Sequence, residues 1–127
     1  VGGRAVQIEG MPGSGKSSLA LALIDRGAVL VGDDGVTLEE RGTRLWAAPP
    51  PNIAGLIEVR NVGLVPLPTA SAPLALVIRL DAAAARFIDR AEQAERAGHV
   101  LPLVALDPAS PILPLLAEYA LKTYGLS

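Results

Sequence analysis

Cysteine is absent from the 127 residues, so neither a disulfide framework nor a thiolate metal site can form. Aromatic side chains are scarce, with Trp46, Phe87, Tyr119 and Tyr124 making up the whole set. The only imidazole, His99, has no second histidine or thiol with which to build a metal site. A surplus of one charge is missing too, since 11 basic side chains face 13 acidic ones for a net of −2. Binding along a nucleic-acid backbone needs a basic stripe, usually with stacking aromatics, so a nucleic-acid partner is not expected. No apolar run reaches the ~18 residues needed to cross a bilayer. The longest lie at residues 19–24 and 73–78, and no basic segment followed by an apolar one marks a secretion signal. No membrane partner is expected, and a cytoplasmic location fits. The chain opens on Val1 and not on Met, so further residues are expected upstream.

What the chain has is aliphatic side chain. Half of its residues are hydrophobic, and its length suits one domain spanning residues 1–127. Residues 4–10 alternate as a strand and run into a glycine-rich loop. Leu19, Leu23 and Ile24 then recur at helical spacing, and Gly27 is a natural stop. Residues 28–32 read as a short buried strand, 36–40 and 44–48 as a hairpin, and the prolines of 49–52 as loop. Residues 55–67 read as one or two strands kinked at Asn61–Gly63, and 73–81 as the strongest strand in the chain. Asp81 is expected to cap a helix over 82–97, with Phe87, Ile88 and Ala91 inward, a Glu92–Arg96 pair outward and Gly98 ending it. The proline in 99–106 predicts an edge strand or extended segment. Asp107 or Ser110 should cap a last helix carrying Leu115, Leu116 and Tyr119. Trp46, Tyr119 and Tyr124 read as packing residues, and His99 as a loop or edge residue. The expected class is mixed α/β.

The chemical accent falls on residues 10–18, Gly10-Met11-Pro12-Gly13-Ser14-Gly15-Lys16-Ser17-Ser18. They fit G-x-x-x-x-G-K-[ST], the loop that wraps nucleotide phosphates. Glycines let successive backbone N–H groups face one anion, and the following helix aims its positive dipole end at the same point. Lys16 would add a full charge at the β- and γ-phosphates, and Ser17 a hydroxyl for Mg²⁺. Asp33 and Asp34 can be read as a simple turn. If the strands on either side of the helix lie parallel, a right-handed crossover instead brings both carboxylates to the phosphate loop. There one could orient Mg²⁺ and the other take a proton from an attacking hydroxyl. Glu58 and Arg60, two apart on a strand, would leave one face, either as solvated charges or as a metal ligand and a cation for phosphate oxygens. Asp81 ends another strand and competes as a metal-binding acid, but its capping position favours a structural role.

Taken together, residues 10–38 followed by 56–65 resemble the catalytic domain of HPr kinase/phosphorylase, in its short proteobacterial form. That family's order is phosphate loop, a helix ending Arg-Gly, a strand ending Asp-Asp, then a signature close to L-E-[IV]-R-G-[LV]-G. The resemblance implies a P-loop fold with a mixed, partly antiparallel sheet like that of phosphoenolpyruvate carboxykinase, with helices packed on it. It implies ATP and Mg²⁺, with Gly10 through Ser18 on the nucleotide, Lys16 essential and Ser17 on the metal. Asp34 would be the proton acceptor in phosphorylation and the donor in reverse, supported by Asp33, while Glu58 would reach the metal. Ile57 to Pro66 would be the signature. The implied partner is HPr, the small phosphocarrier of the sugar phosphotransferase system, phosphorylated on serine, and a homo-oligomer is left open. Asn61 stands where the signature has glycine. The histidine that family members carry before the phosphate loop would lie upstream of Val1, and no basic R-P-G-R-N segment follows residue 81. A related kinase with another acceptor, or a nucleotide-binding regulatory domain without transferase activity, are the alternative functions.

Overall fold

The computed structural model describes residues 1–33, 35–51 and 55–127. The elements run β1 (Ala5–Glu9), α1 (Lys16–Asp25), β2 (Thr37–Arg41), β3 (Arg44–Ala48), β4 (Leu56–Val59), β5 (Gly63–Pro66), β6 (Ala72–Leu80), β7 (Glu92–Arg96), β8 (His99–Leu106) and α2 (Leu113–Tyr124). The chain divides into two compact units. One holds Val1–Ala5 and Ser17–Leu74, the other Val6–Lys16 and Ala75–Ser127.

In the first unit, α1 buries Leu19 and Leu23, four apart and so on one face. It ends as expected at Gly27, whose φ of +107° permits the left-handed cap. Gly27 N–H bonds Ile24 O at 3.0 Å and Ala28 N–H bonds Leu23 O at 3.0 Å, a paired closure that satisfies two end carbonyls. Residues 28–32 do not form the expected strand. They make one parallel bridge, Leu30 to Thr69, because Leu30 alone is driven inward while Val29 stays exposed. β2 and β3 form the anticipated antiparallel hairpin, and β3 meets the first residues of β6 through Trp46–Pro73 and Ala47–Ala72. β4 and β5 are a second hairpin, so the expected kink is a full reversal. Ile57 is its buried anchor.

The second unit is built on β6, whose residues Leu74 to Ile78 are buried in succession. An unbroken apolar run of this kind belongs to a strand covered on both faces. β6 pairs with β1 and, in parallel, with β8, while β8 also pairs antiparallel with β7. The sheet is therefore mixed, as expected. β8 is not an edge: it lies between two strands despite Pro102. The parallel ladder with β6 begins only at Leu103, so Pro102, lacking an N–H, faces a single partner strand.

The expected helix over 82–97 does not form. Residues 82–91 make turns, and Glu92–Arg96 pair with β8 instead. Ala97 (φ +49°) and Gly98 (φ +80°) supply the two positive backbone angles of a tight two-residue hairpin turn. Alanine's helix preference is worth only tenths of a kcal/mol per residue, whereas a β8 edge left without a partner forfeits a row of backbone hydrogen bonds. Phe87, expected inward, is consequently 84% exposed, and Glu92 bonds Arg79 at 3.0 Å and not Arg96. Asp81 caps a turn and not a helix, its Oδ1 accepting from Ala83 N–H at 2.8 Å.

The last helix begins later than expected. Asp107 and Ser110 accept from Ala109 N–H and Ile112 N–H in the turns before it, and Ile112 occupies the cap with no side-chain bond. Its buried face is Leu113, Ala117, Ala120 and Leu121, packed towards β8, which leaves Tyr119 exposed and not packing. Tyr124 donates its hydroxyl to Ile88 O at 3.3 Å. Among the described residues no helix is long and apolar enough to cross a membrane.

The β7–β8 turn can be tested directly, because alanine tolerates positive φ poorly and asparagine tolerates it better. Ala97→Asn should raise unfolding free energy by about 0.5–1 kcal/mol, and the β-branched Ala97→Val should lower it, both read from urea midpoints. Unchanged midpoints for both would argue against the turn.

Candidate functional site

The loop from Gly10 to Lys16 belongs to the second unit. Ser14 N–H bonds Met11 O at 3.0 Å, closing a turn whose tip, Met11, is 79% exposed. Gly13 and Gly15 have φ of +79° and +102°. Left-handed residues among ordinary ones form a concavity of backbone N–H groups, the geometry that receives an anion. Gly10 is required for a different reason, since a Cβ there would lie 2.6 Å from Ser14 Oγ and 3.3 Å from Leu80 Cβ. Ser14 Oγ is itself buried and makes no hydrogen bond among the described residues. A buried hydroxyl left unmatched costs about 1–3 kcal/mol, which a ligand oxygen would recover. Lys16 Nζ donates to Gly10 O at 3.2 Å, folding its ammonium back over the loop. Every feature here fits a phosphate group: donors, one full positive charge, and no carboxylate within the loop.

The second group lies in the first unit. Ser17 follows Lys16 at the start of α1, and its hydroxyl donates to Asp33 Oδ1 at 2.6 Å. Asp33 Oδ2 accepts the Glu58 backbone N–H at 3.1 Å. Each oxygen of one carboxylate thus holds a different donor. A serine hydroxyl whose proton is committed to a carboxylate turns its lone pairs outward, the arrangement a hard cation needs. Among the described residues no three His, Cys, Asp or Glu side chains gather as a metal-holding group. Mg²⁺ fits such a site, since it accepts few protein ligands and keeps water and phosphate oxygens for the rest.

Ser17 and Asp33 are thus brought together, although the strand on which the crossover reasoning rested is reduced to one bridge at Leu30. Glu58 joins them by its backbone, with its side chain exposed. Arg60 does not share its strand face. β4 ends at Val59, and Arg60 is exposed in the hairpin turn. Asp34 lies outside the described residues. Asn61 has φ +68°, a glycine-type backbone angle held by the non-glycine residue that accepts it most readily. Gly13, Pro12 and Ser18 are exposed around the loop.

One cluster escaped the sequence reading. Arg96, on β7, bonds Glu9 Oε2 at 2.7 Å and Gln7 Oε1 at 3.1 Å, both on the strand that feeds the phosphate loop. The only local signal was that Gln7 and Glu9, two apart, share a strand face.

Comparison with known proteins bears on the same segments. The model of the HPr serine kinase C-terminal domain matches residues 1–98. The HPr kinase/phosphorylase of Clostridium tetani is 41% identical over 67 residues, covering 53% of this chain and 22% of that protein. That of Streptococcus thermophilus is 43% identical over 65 residues, covering 50% of this chain and 21% of the relative. The chain therefore spans about a fifth of the length of the curated relatives it matches. Among solved structures, the HPr(Ser) kinase/phosphatase from Coxiella burnetii superposes with a TM-score of 0.80 at 28% identity, covering 92% of this chain and 80% of that one. The mixed α/β architecture is shared with it. Because the family model reaches from Val1 to Gly98, it takes in the phosphate loop, the Ser17–Asp33–Glu58 group and the hairpin alike, and the chain belongs to the HPr serine kinase C-terminal domain family.

Proposed function

We propose that residues 1–127 form one catalytic domain that moves the γ-phosphoryl group of ATP to a serine of HPr, and that takes it off again with inorganic phosphate. The observation that carries this reading is the Ser17–Asp33 bond of 2.6 Å, at the start of the helix that follows the phosphate loop. A glycine-rich turn with only a structural role has no need of a carboxylate locked onto that serine.

In this reading the backbone N–H groups of Gly10 to Ser18 hold the phosphates, and Lys16 supplies charge at the β- and γ-positions. One Mg²⁺, on the Ser17 hydroxyl with Asp33 and Glu58 as the carboxylates on offer, would screen the charge that builds on the transferring group. Asp34 accepts the proton of the HPr serine as that oxygen bonds to phosphorus and ADP leaves. In reverse, an oxygen of inorganic phosphate attacks the phosphoserine phosphorus. The protonated Asp34 then returns its proton to the departing serine oxygen, and pyrophosphate is the product. Arg60, in the hairpin turn, offers an exposed cation to the equatorial oxygens. The work would be done in the cytoplasm, where ATP and a phosphocarrier meet.

Intact-mass spectrometry of HPr incubated with the chain and Mg-ATP tests the proposal. HPr should gain one phosphoryl group and lose it when phosphate is added. A chain that binds ATP but leaves HPr unchanged would favour a regulatory nucleotide-binding domain, or a kinase with another acceptor.

Two substitutions separate binding from chemistry. Lys16→Ala should weaken Mg-ATP binding by at least ~2 kcal/mol in calorimetry, since it removes a charge-assisted contact. Equal affinity would overturn the phosphate-loop assignment. Asp34→Asn should bind ATP as the parent does yet lose both serine phosphorylation and phosphate-dependent removal. Parental transfer by that variant would exclude Asp34 as the base.

A further inference from the structure

Glu9 is the last residue of β1, and Gly10, next in the chain, opens the phosphate loop. A carboxylate therefore stands one residue before a loop that would receive a polyanion. A like charge held near a polyanion opposes its binding, the more so where water is partly excluded. The chain nevertheless keeps it, and the structure supplies a counter-charge. Arg96 Nη2 lies 2.7 Å from Glu9 Oε2, Arg96 Nε donates to Gln7 Oε1 at 3.1 Å, and Arg96 Nη1 donates to Glu95 O at 2.8 Å.

Three nitrogens of one guanidinium are thus committed, which fixes its orientation as a lysine could not be fixed. The Arg96 and Glu9 side chains are 26% and 37% exposed, so water and salt screen the pair less than a fully solvated one. Gln7 and Glu9 leave the same face of β1, so the fork grips the strand at two successive outward positions just before the loop begins.

We propose that Arg96 is a positioning residue for nucleoside-triphosphate binding. It neutralises Glu9, so that the phosphate loop departs from a strand end free of net negative charge. This rests on the reading of residues 10–18 as a phosphate site. Its electrostatic part sets it apart from a merely structural tie. The penalty for losing Arg96 should follow the charge of the ligand and should vanish when Glu9 loses its own charge.

Calorimetry with Mg-ATP and Mg-ADP, at low and high salt, tests this on the parent, Arg96→Gln, Glu9→Gln and the double variant, each checked by thermal melting. Arg96→Gln should bind Mg-ATP about tenfold more weakly, Mg-ADP less affected, with the gap narrowing at high salt. Glu9→Gln with Arg96→Gln should return to within about threefold of the parent. If Arg96→Gln does not fold, Arg96→Lys and the double variant carry the comparison: both should bind within about threefold of the parent. Parental affinity in folded Arg96→Gln, or a double variant as weak as Arg96→Gln, would overturn the inference while leaving the phosphate loop standing. A parent that does not bind Mg-ATP would overturn the phosphate-loop reading, and this inference with it.

Discussion

The carboxylate of Asp33 has two oxygens and two obligations. One oxygen holds the Ser17 hydroxyl and the other the amide of Glu58. Both bonds run to one carboxylate, and the part-buried one from Ser17 is the firmer hold. The start of α1 and the β4–β5 hairpin, 41 residues apart between Ser17 and Glu58, are thereby joined through one side chain. The orientation of the Ser17 lone pairs, and the place at which Glu58 and Arg60 leave the sheet, both depend on it. Neither oxygen can be given up without loosening one of those partners.

In both units the backbone is specified at certain points by residues with little side-chain chemistry of their own. Gly10 is needed because Ser14 and Leu80 occupy the space a Cβ would take, and Asn61 because its φ is positive where a hairpin must reverse. Asparagine reaches the left-handed region with less strain than other side chains, so the turn that presents Arg60 is kept.

How much of this was legible in the sequence follows the range of the interactions. The strand before the loop, the helix after it, its glycine stop and the β2–β3 hairpin are local, written in periodicity and turn residues, and each appears where expected. The crossover rule that would bring Asp33 and Asp34 to the phosphate loop presumed a strand over residues 28–32, and that strand is reduced to one bridge at Leu30. The Ser17–Asp33 bond is therefore a long-range contact that the rule did not supply. Residues 82–97 misled because an alanine-rich stretch has a real but small helix preference, and nothing nearby announces that β8 lacks a partner strand. Arg96 was misassigned in consequence. Its partner Glu9 is 87 residues away, and no sequence window spans that distance. Pro102 pointed to an edge strand, and only the register shows how a proline sits beside an interior ladder.

The central claim is that the phosphate loop and the Asp33 node respond together to a metal–nucleotide ligand. Amide hydrogen exchange of the chain with and without Mg-ATP measures this most directly. Exchange should slow at residues 10–18 and at the Glu58 amide, and only when metal and nucleotide are both present. Slowing confined to α2 or β7, with residues 10–18 and Glu58 unchanged, would contradict the account.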